Sequence, residues 1–572
     1  MQNNKKKKNY LFLVILLILS FMNSCQKDSI IKNENNVTTV SRNPNRNARL
    51  SKSNPFSLVN MKKAASQLYG AEYANNMNAT HIYVRYKPAT IDEADELTSR
   101  EDLVWQNFPF DYSAGDVDDE YKDPSLNENE LPWLYTFYPV DNKITTSIQT
   151  EILDQLYITS ESENELEEVA YIISGNKEKE SEDPETITGS NMRRAPEYRP
   201  RGVLKVHNTT TRTDEVLKNA KIRIVDWFKV SEVYTNASGY FESGKLYRVK
   251  VDIYLLCTNS KYTIYDNRSS LLFFAIPKIA NEVYADPFNF TIYYSTATRL
   301  WALATMHNAY FRYATDAVSS GISAQPDGMR LWVISKDDEA GGVGACPMLH
   351  KGTFRLGMTN PEWGIAVNIL GVSPALTMLQ NSLKKYLPDM YLTWDATMNT
   401  EDIDNLVFHE SAHASHYIKA GNTYWGIYVS DIITKLGYGR WDQANAEMIS
   451  LSEGWASFVE LHISALKYGV TPRILTRIED NEGIELTEGR EFIRLSRGIF
   501  YDLMDNSSTT TEPYDLVKDY TIPQLYNTFN STTNDFDKYL ERLETLYSNP
   551  DEPNLPNLSV RYRFIMNPDN PL

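Results

Sequence analysis

FHESAHASHY, residues 408–417, places three of the chain's eight histidines and a glutamate within ten positions. On an α-helix, residues four apart lie on one face about a turn from each other, so His409 and His413 can aim their imidazoles at one point. Two ligands from one rigid turn make half of a tetrahedral zinc site. Glu410, next to the first histidine, can hold its carboxylate beside a water on that metal and take its proton. This is the HExxH arrangement. Taking the combined Asp and Glu count as a ceiling for Glu, a chain of this composition spells it by accident on the order of 0.01 times. Chance therefore explains it poorly.

The surrounding TEDIDNLVFHESAHASHYIKA (400–420) predicts a helix. Thr400 is a suitable cap, and Glu401, Asp402 and Asp404 fall in the first turn, where the helix dipole favours negative charge. Ile403, Leu406, Val407, Ala414, Tyr417 and Ile418 recur at helical spacing and give a side that can enter a core. His416 lengthens the string to HExxHxxH. Positions 409 and 416, however, are about 10.5 Å apart along a helix axis, too far for both to reach one zinc at about 2 Å. The metzincin continuation is absent too, since its glycine and third histidine would fall where the chain has His416 and Lys419.

A third ligand has to come from elsewhere. AEMISLSEGWASFVELHISALKYG (446–469) reads as a second amphipathic helix carrying Glu447, Glu453 and Glu460. Its centre, Ser452-Glu453-Gly454-Trp455-Ala456, resembles the EGxA segment of gluzincins, in which the glutamate of a following helix completes a His-His-Glu site. Residues from about 290 to 530 resemble a gluzincin-type zinc metallopeptidase, similar in plan to thermolysin and the zinc aminopeptidases: a mixed sheet, the HExxH helix, then the glutamate helix. The resemblance implies that His409, His413 and Glu453 bind one zinc. It also implies that Glu410 is general base and later proton donor, and that the substrate is a protein or peptide. The metal triad alone leaves two other classes open: a zinc hydrolase of a non-peptide bond, and a binding or adhesion protein with a structural zinc.

The chain also departs from that family. The interval from His413 to Glu453 is longer than in familiar gluzincins, and its GNTYWGIYVSDIITKLGYGRWDQAN (421–445) is expected as a loop over the cleft. Glu447 remains the alternative third ligand. Thermolysin-like enzymes orient a zinc histidine with an Asp four residues past that ligand, where Ser457 stands here. Glu460 is either a substitute outer carboxylate or a surface glutamate. Hydrolysis also builds negative charge on a carbonyl oxygen, which calls for a donor. Tyr417, Tyr424, Tyr428, Tyr438 and Tyr501 are near the motifs, but the chain has 37 tyrosines, and core packing is the default for each.

The amino terminus sets the compartment. MQNNKKKKNYLFLVILLILSFMNSC (1–25) is a basic start followed by an apolar run from Tyr10 to Met22, the pattern of a secretory signal. The run is short of the roughly 20 residues that a spanning helix needs. Cys25 after Asn23-Ser24 resembles the lipobox of bacterial lipoproteins, with Met22 in place of the usual Leu, and Gln26-Lys27-Asp28 resembles a surface-export signal of such proteins. These features imply lipidation at Cys25 and anchoring to the outer membrane, facing the periplasm or the cell surface. Only Cys257 and Cys346 remain, either paired or buried separately.

With 572 residues, three or four domains are expected. The net charge of −18 argues against a nucleic-acid partner and does not determine oligomeric state. The expected class is multidomain α+β. A signal peptide (1–24) and a polar tether (25–58) precede an α+β domain without assignable chemistry (59–176) and a charged linker (177–199). A β-sandwich follows at 200–289, where TNASGYF (235–241) resembles the T-x-x-x-G-Y-F turn of carboxypeptidase-regulatory-like domains, implying a spacer or docking platform. The last unit, 290–572, is expected to be a mainly helical zincin-like domain with a mixed sheet. Its helix STATRLWALATMHNAYFRYATDAV (295–318) and strands MRLWVISK (329–336) and DMYLTWDA (389–396) precede the zinc helix, and an edge strand there can hold an extended peptide by main-chain pairing. His307 and His350 are read as structural.

Overall fold

The computed structural model describes residues 53–112, 121, 123, 124, 126, 131–177 apart from 143 and 145, 197–266, 273–336, 344–352, 387–482 apart from 436 and 441, 497–505 and 516–566. The signal peptide, Cys25 and most of the linker 177–199 lie outside these residues. Among them the protein is mixed α+β, with four sheets and twelve α-helices.

The chain first forms α1 (Leu58–Tyr69), α2 (Ala71–Asn76), β1 (His81–Lys87), α3 (Ile91–Thr98), β2 (Leu134–Pro139), β3 (Gln149–Leu156) and α4 (Asn164–Ile173). Ser57 starts α1 by accepting the Asn60 N–H, and Thr90 starts α3 by accepting that of Glu93. The strands make an antiparallel sheet of order β2-β1-β3. Strand alternation gives each face its own core: Tyr83 and Tyr135 meet Phe110 and Tyr171, whereas Val84, Tyr86 and Leu134 meet Trp105 and Leu97. Both cores continue into the next strands, through Val230 on one face and Tyr254 on the other.

Those strands are β4 (Arg201–Asn208), β5 (Thr213–Val216), β6 (Lys221–Asp226), β7 (Lys229–Tyr234), β8 (Tyr240–Glu242), β9 (Val251–Leu256), β10 (Tyr262–Asp266), β11 (Lys278–Val283) and β12 (Phe290–Ile292). One sheet has the order β11-β9-β6-β7; in the other, β4 pairs with β12, β5 and β8. Leu204 and Val206 of β4 share a core with Ile222 and Ile224 of β6 and with Ile253 and Leu255 of β9. β10 leaves both sheets and pairs in parallel with β13 (Met329–Ser335). β13 pairs in parallel with β15 (Met390–Trp394), and the short β14 (Gly344–Ala345) closes this sheet antiparallel to β15. The sheet beside the HExxH helix is therefore mixed and draws strands from both sides of residue 290.

Around it stand α5 (Thr298–Ser319), α6 (Thr400–Lys435), α7 (Ala446–Tyr468), α8 (Pro472–Glu482), α9 (Ile499–Asp502), α10 (Ile522–Thr528), α11 (Phe536–Leu546) and α12 (Leu555–Met566). The start of α6 differs from expectation by one residue. Asn399 caps it: its side-chain oxygen accepts the Asp402 N–H and its own N–H donates to the Asp402 carboxylate, both at 3.1 Å. Thr400 is occupied elsewhere, exchanging hydrogen bonds with Thr209, while the Glu401 N–H donates to Thr210. The β4–β5 turn thus seals the amino end of the helix. Nearly every residue from 401 to 416 is buried, whereas Ile418, expected in the core, is exposed.

Of the interval 421–445, expected as a loop over the cleft, residues 422–435 are helix instead. Gly421 adopts φ 75°, ψ −179°, a backbone state that L side chains avoid, and the chain then resumes as helix to Lys435. Cys257 and Cys346 are both buried and form no disulfide with each other. No helix among the described residues is long and apolar enough to cross a membrane.

Candidate metal centre

His409 and His413 lie one turn apart on α6 with ring centroids 5.0 Å apart and planes at 80°. α7 packs against α6 and brings Glu453 between them: Glu453 Oε2 stands 3.4 Å from His409 Nε2, and Oε1 stands 3.5 Å from His413 Nε2. One donor atom from each of the three residues falls within 4.8 Å of the others, a geometry that can hold a metal ion. Among the described residues no other group of His, Cys, Asp or Glu does this.

The donors carry the mark of a site built for something the protein itself does not provide. His413 is 2% exposed, yet neither of its ring nitrogens makes a hydrogen bond, and Glu453 Oε2 makes none either. Each buried polar group left this way costs about 1–3 kcal/mol, which a cation accepting their lone pairs offsets. The charges agree. Burial alone pushes His409 down, but the carboxylates of Glu453, Glu460 and Glu410 outweigh it and lift the imidazole to about 9. Burial likewise pushes Glu453 up, and His413 and His409 reverse this, holding its carboxyl well below the usual range. His413 is lowered by burial, with Glu453 opposing only in part. The donor set fits a divalent cation.

Support comes from a second layer of residues. His409 Nδ1 lies 3.1 Å from Glu460 Oε2, and Arg477 of α8 holds the other Glu460 oxygen at 2.8 Å. With Nδ1–H donated to this carboxylate, Nε2 is the nitrogen that faces Glu453 and that can give its lone pair to a metal once its own proton leaves. Of the two readings of Glu460, the structure supports the outer carboxylate: it is 1% exposed and does from two turns along α7 what an Asp at Ser457 would do from one. Glu447 points elsewhere, paired with Arg563 and accepting the Phe536 N–H. Tyr428 donates to Glu453 Oε1 at 2.6 Å.

Glu410 is 1% exposed and lies against the sheet's edge strand. A Cβ on Gly344 of β14 would fall 2.3 Å from Glu410 Oε1 and 2.7 Å from its Cδ, so only glycine leaves that carboxylate its place. His416 is buried among Phe529, Tyr424 and Trp425 and joins no metal-holding group, as its spacing requires. The structure therefore brings His409, His413 and Glu453 together with Glu410 in the next position on α6. Sequence reasoning missed Arg477, Gly344 and the role of Tyr428. The only signals were Arg473 and Arg477 one turn apart and the glycine-rich stretch Gly341-Gly342-Val343-Gly344. Comparison with protein-family models, with curated proteins and with solved structures finds no match to this chain.

Proposed function

We propose that this chain is a zinc-dependent, gluzincin-like metallopeptidase that hydrolyses peptide bonds of extracellular or periplasmic proteins. The observation that carries the reading is the convergence of His409, His413 and Glu453, with buried donor atoms that no protein group satisfies, next to a buried Glu410. Two imidazoles and one carboxylate suit zinc and leave a fourth position for water or substrate. Zinc, when bound, supplies a Lewis acid and lowers the pKa of a water toward about 7. Glu410 takes the proton from the attacking water, holds it in a site with little bulk water, and delivers it to the departing amine nitrogen. β14, antiparallel at the sheet's edge and against Glu410, suits main-chain pairing with an extended peptide.

The finer architecture belongs to the same proposal. The succession of β15 in its mixed sheet, α6 and α7 supports a zincin-like domain. The two sheets of 201–292 fit a carboxypeptidase-regulatory-like sandwich. Its T-x-x-x-G-Y-F turn has a physical reason: buried Thr235 bridges Leu217 O and Ala220 N, and a Cβ on Gly239, at φ +76°, would fall 2.6 Å from Leu204 O. Lipidation at Cys25 and outer-membrane anchoring rest on the leader sequence.

The test is a peptide-library digest by the zinc-loaded chain against its Glu410→Gln variant. Cleavage by the wild type that falls by about 10²–10⁴-fold in the variant is the expected result. A zinc-loaded wild type that cleaves no peptide overturns the reading. A screen of ester and other non-peptide substrates then separates another hydrolase from a binding lipoprotein with a structural zinc.

A further inference from the structure

Glu453 reaches the site from a helix forty residues beyond His413, so the geometry of α6 alone does not fix its carboxylate against the two imidazoles. Something else has to hold it. Resting on the zinc reading above, we infer that the helical arm after Gly421 is a positioning device for the third ligand, with Tyr428 as its working residue.

Three observations converge. The Tyr428 hydroxyl donates to Glu453 Oε1 at 2.6 Å, and both residues are buried. This bond restrains rotation of the carboxylate while its two oxygens face the Nε2 atoms of His409 and His413. The arm is pinned one turn before that contact: Tyr424 donates to Met448 O and shares a hydrogen bond with Ser452 on α7, and Trp425 Nε1 donates to Cys346 O just past β14. Finally, the arm also packs on the ligand histidine that has no carboxylate behind it. The rings of Trp425 and Tyr428 each lie 6.1 Å from that of His413, whose Nδ1 has no hydrogen-bond partner. Glu460 and Arg477 hold His409 by charge; the arm holds His413 by packing and Glu453 by one hydrogen bond. The turn at Gly421 directs the arm back over the site, since its φ of 75° breaks the helix where a continuous one would run on.

Outer groups of this kind set metal affinity by about 10–100-fold. The test is zinc affinity of the full chain and of Tyr428→Phe, by competition with a chromophoric chelator. Thermal melting of the metal-free proteins and the visible spectrum of their cobalt forms accompany it. The expected result is about 10–100-fold weaker zinc in Tyr428→Phe, an altered cobalt spectrum and a metal-free melting transition that stays cooperative and falls only by what one lost hydrogen bond costs. Zinc affinity within twofold of wild type and an identical cobalt spectrum would overturn the assignment. So would retained affinity with a loss of turnover, because the hydroxyl would then be acting on substrate. A wild type that takes up no zinc overturns the reading on which the inference rests, a separate outcome from a zinc-binding wild type that Tyr428→Phe matches.

Discussion

His307 and His413 are both buried histidines on long helices of one hydrophobic core, and the protein treats them differently. His307, on α5, donates from Nε2 to Lys218 O at 2.6 Å, and its Nδ1 bonds the Tyr262 hydroxyl. Burial lowers it to about 4, against the pull of that carbonyl, so it stays neutral with both nitrogens satisfied. His413 is as deeply buried and has neither nitrogen satisfied. A buried polar group completed by its own chain is part of the scaffold; one left incomplete marks a place for a guest. His416 adds the second condition. It too lacks hydrogen bonds, but aromatic rings surround it. Incompleteness and convergence of donors have to coincide, and among the described residues they coincide at His409, His413 and Glu453.

The largest effect should separate the two histidines outright. His413→Ala is expected to lower zinc affinity by about a thousandfold or more. His307→Ala should leave zinc affinity unchanged and cost about 1–3 kcal/mol of stability through the groups it strands. Equilibrium zinc titration and denaturant melts of both variants check this, and zinc loss in the His307 variant would dissolve the contrast. Next in size is Gly344→Ala. Its methyl displaces the Glu410 carboxylate, so turnover should fall by about a hundredfold while zinc content holds at wild-type level.

Glu460→Gln should weaken zinc by about 10–100-fold by removing the anion behind His409, and a chelator competition measures it. The smallest step is with pH. His409 stands at about 9 in the metal-free chain, so at neutral pH it carries a proton that metal must displace. Apparent zinc affinity should rise by about tenfold per pH unit up to about 9 and then level off, with about one proton released per zinc. The same proton stabilises the metal-free fold. Because the folded value lies above the ordinary 6.5, that contribution is full below 6.5 and is lost as pH rises through about 9. Calorimetry in buffers of different ionisation enthalpy reads the proton, and a flat pH profile between 6.5 and 9 would show that His409 carries no proton for the metal to displace.

The features legible in the amino-acid sequence are local ones. The HExxH helix, α5, α7 and strands β13 and β15 carry their patterns within ten to twenty residues, and each lies where its periodicity puts it. Glu453 is legible only by resemblance, because its approach to His409 depends on how α7 packs, which no spacing encodes. The same holds for Tyr428 on Glu453 and Arg477 on Glu460, pairs of residues 25 and 17 apart that meet across different helices. The arm 422–435 is hidden for another reason. Gly421 and Gly426 interrupt an aromatic segment with the chemistry of a loop, and tertiary contacts of Tyr424, Trp425 and Tyr428 carry it into helix regardless. The cap shifts from Thr400 to Asn399 because Thr209, from a distant hairpin, claims the threonine.

The most direct test of the His-His-Glu centre is zinc per chain, by elemental analysis after metal loading and desalting, in the full chain and its Glu410→Gln and Glu453→Ala variants. About one zinc is expected in the wild type and in Glu410→Gln, and almost none in Glu453→Ala. A wild type that retains no zinc, or a Glu453→Ala chain that keeps it all, would contradict the assignment.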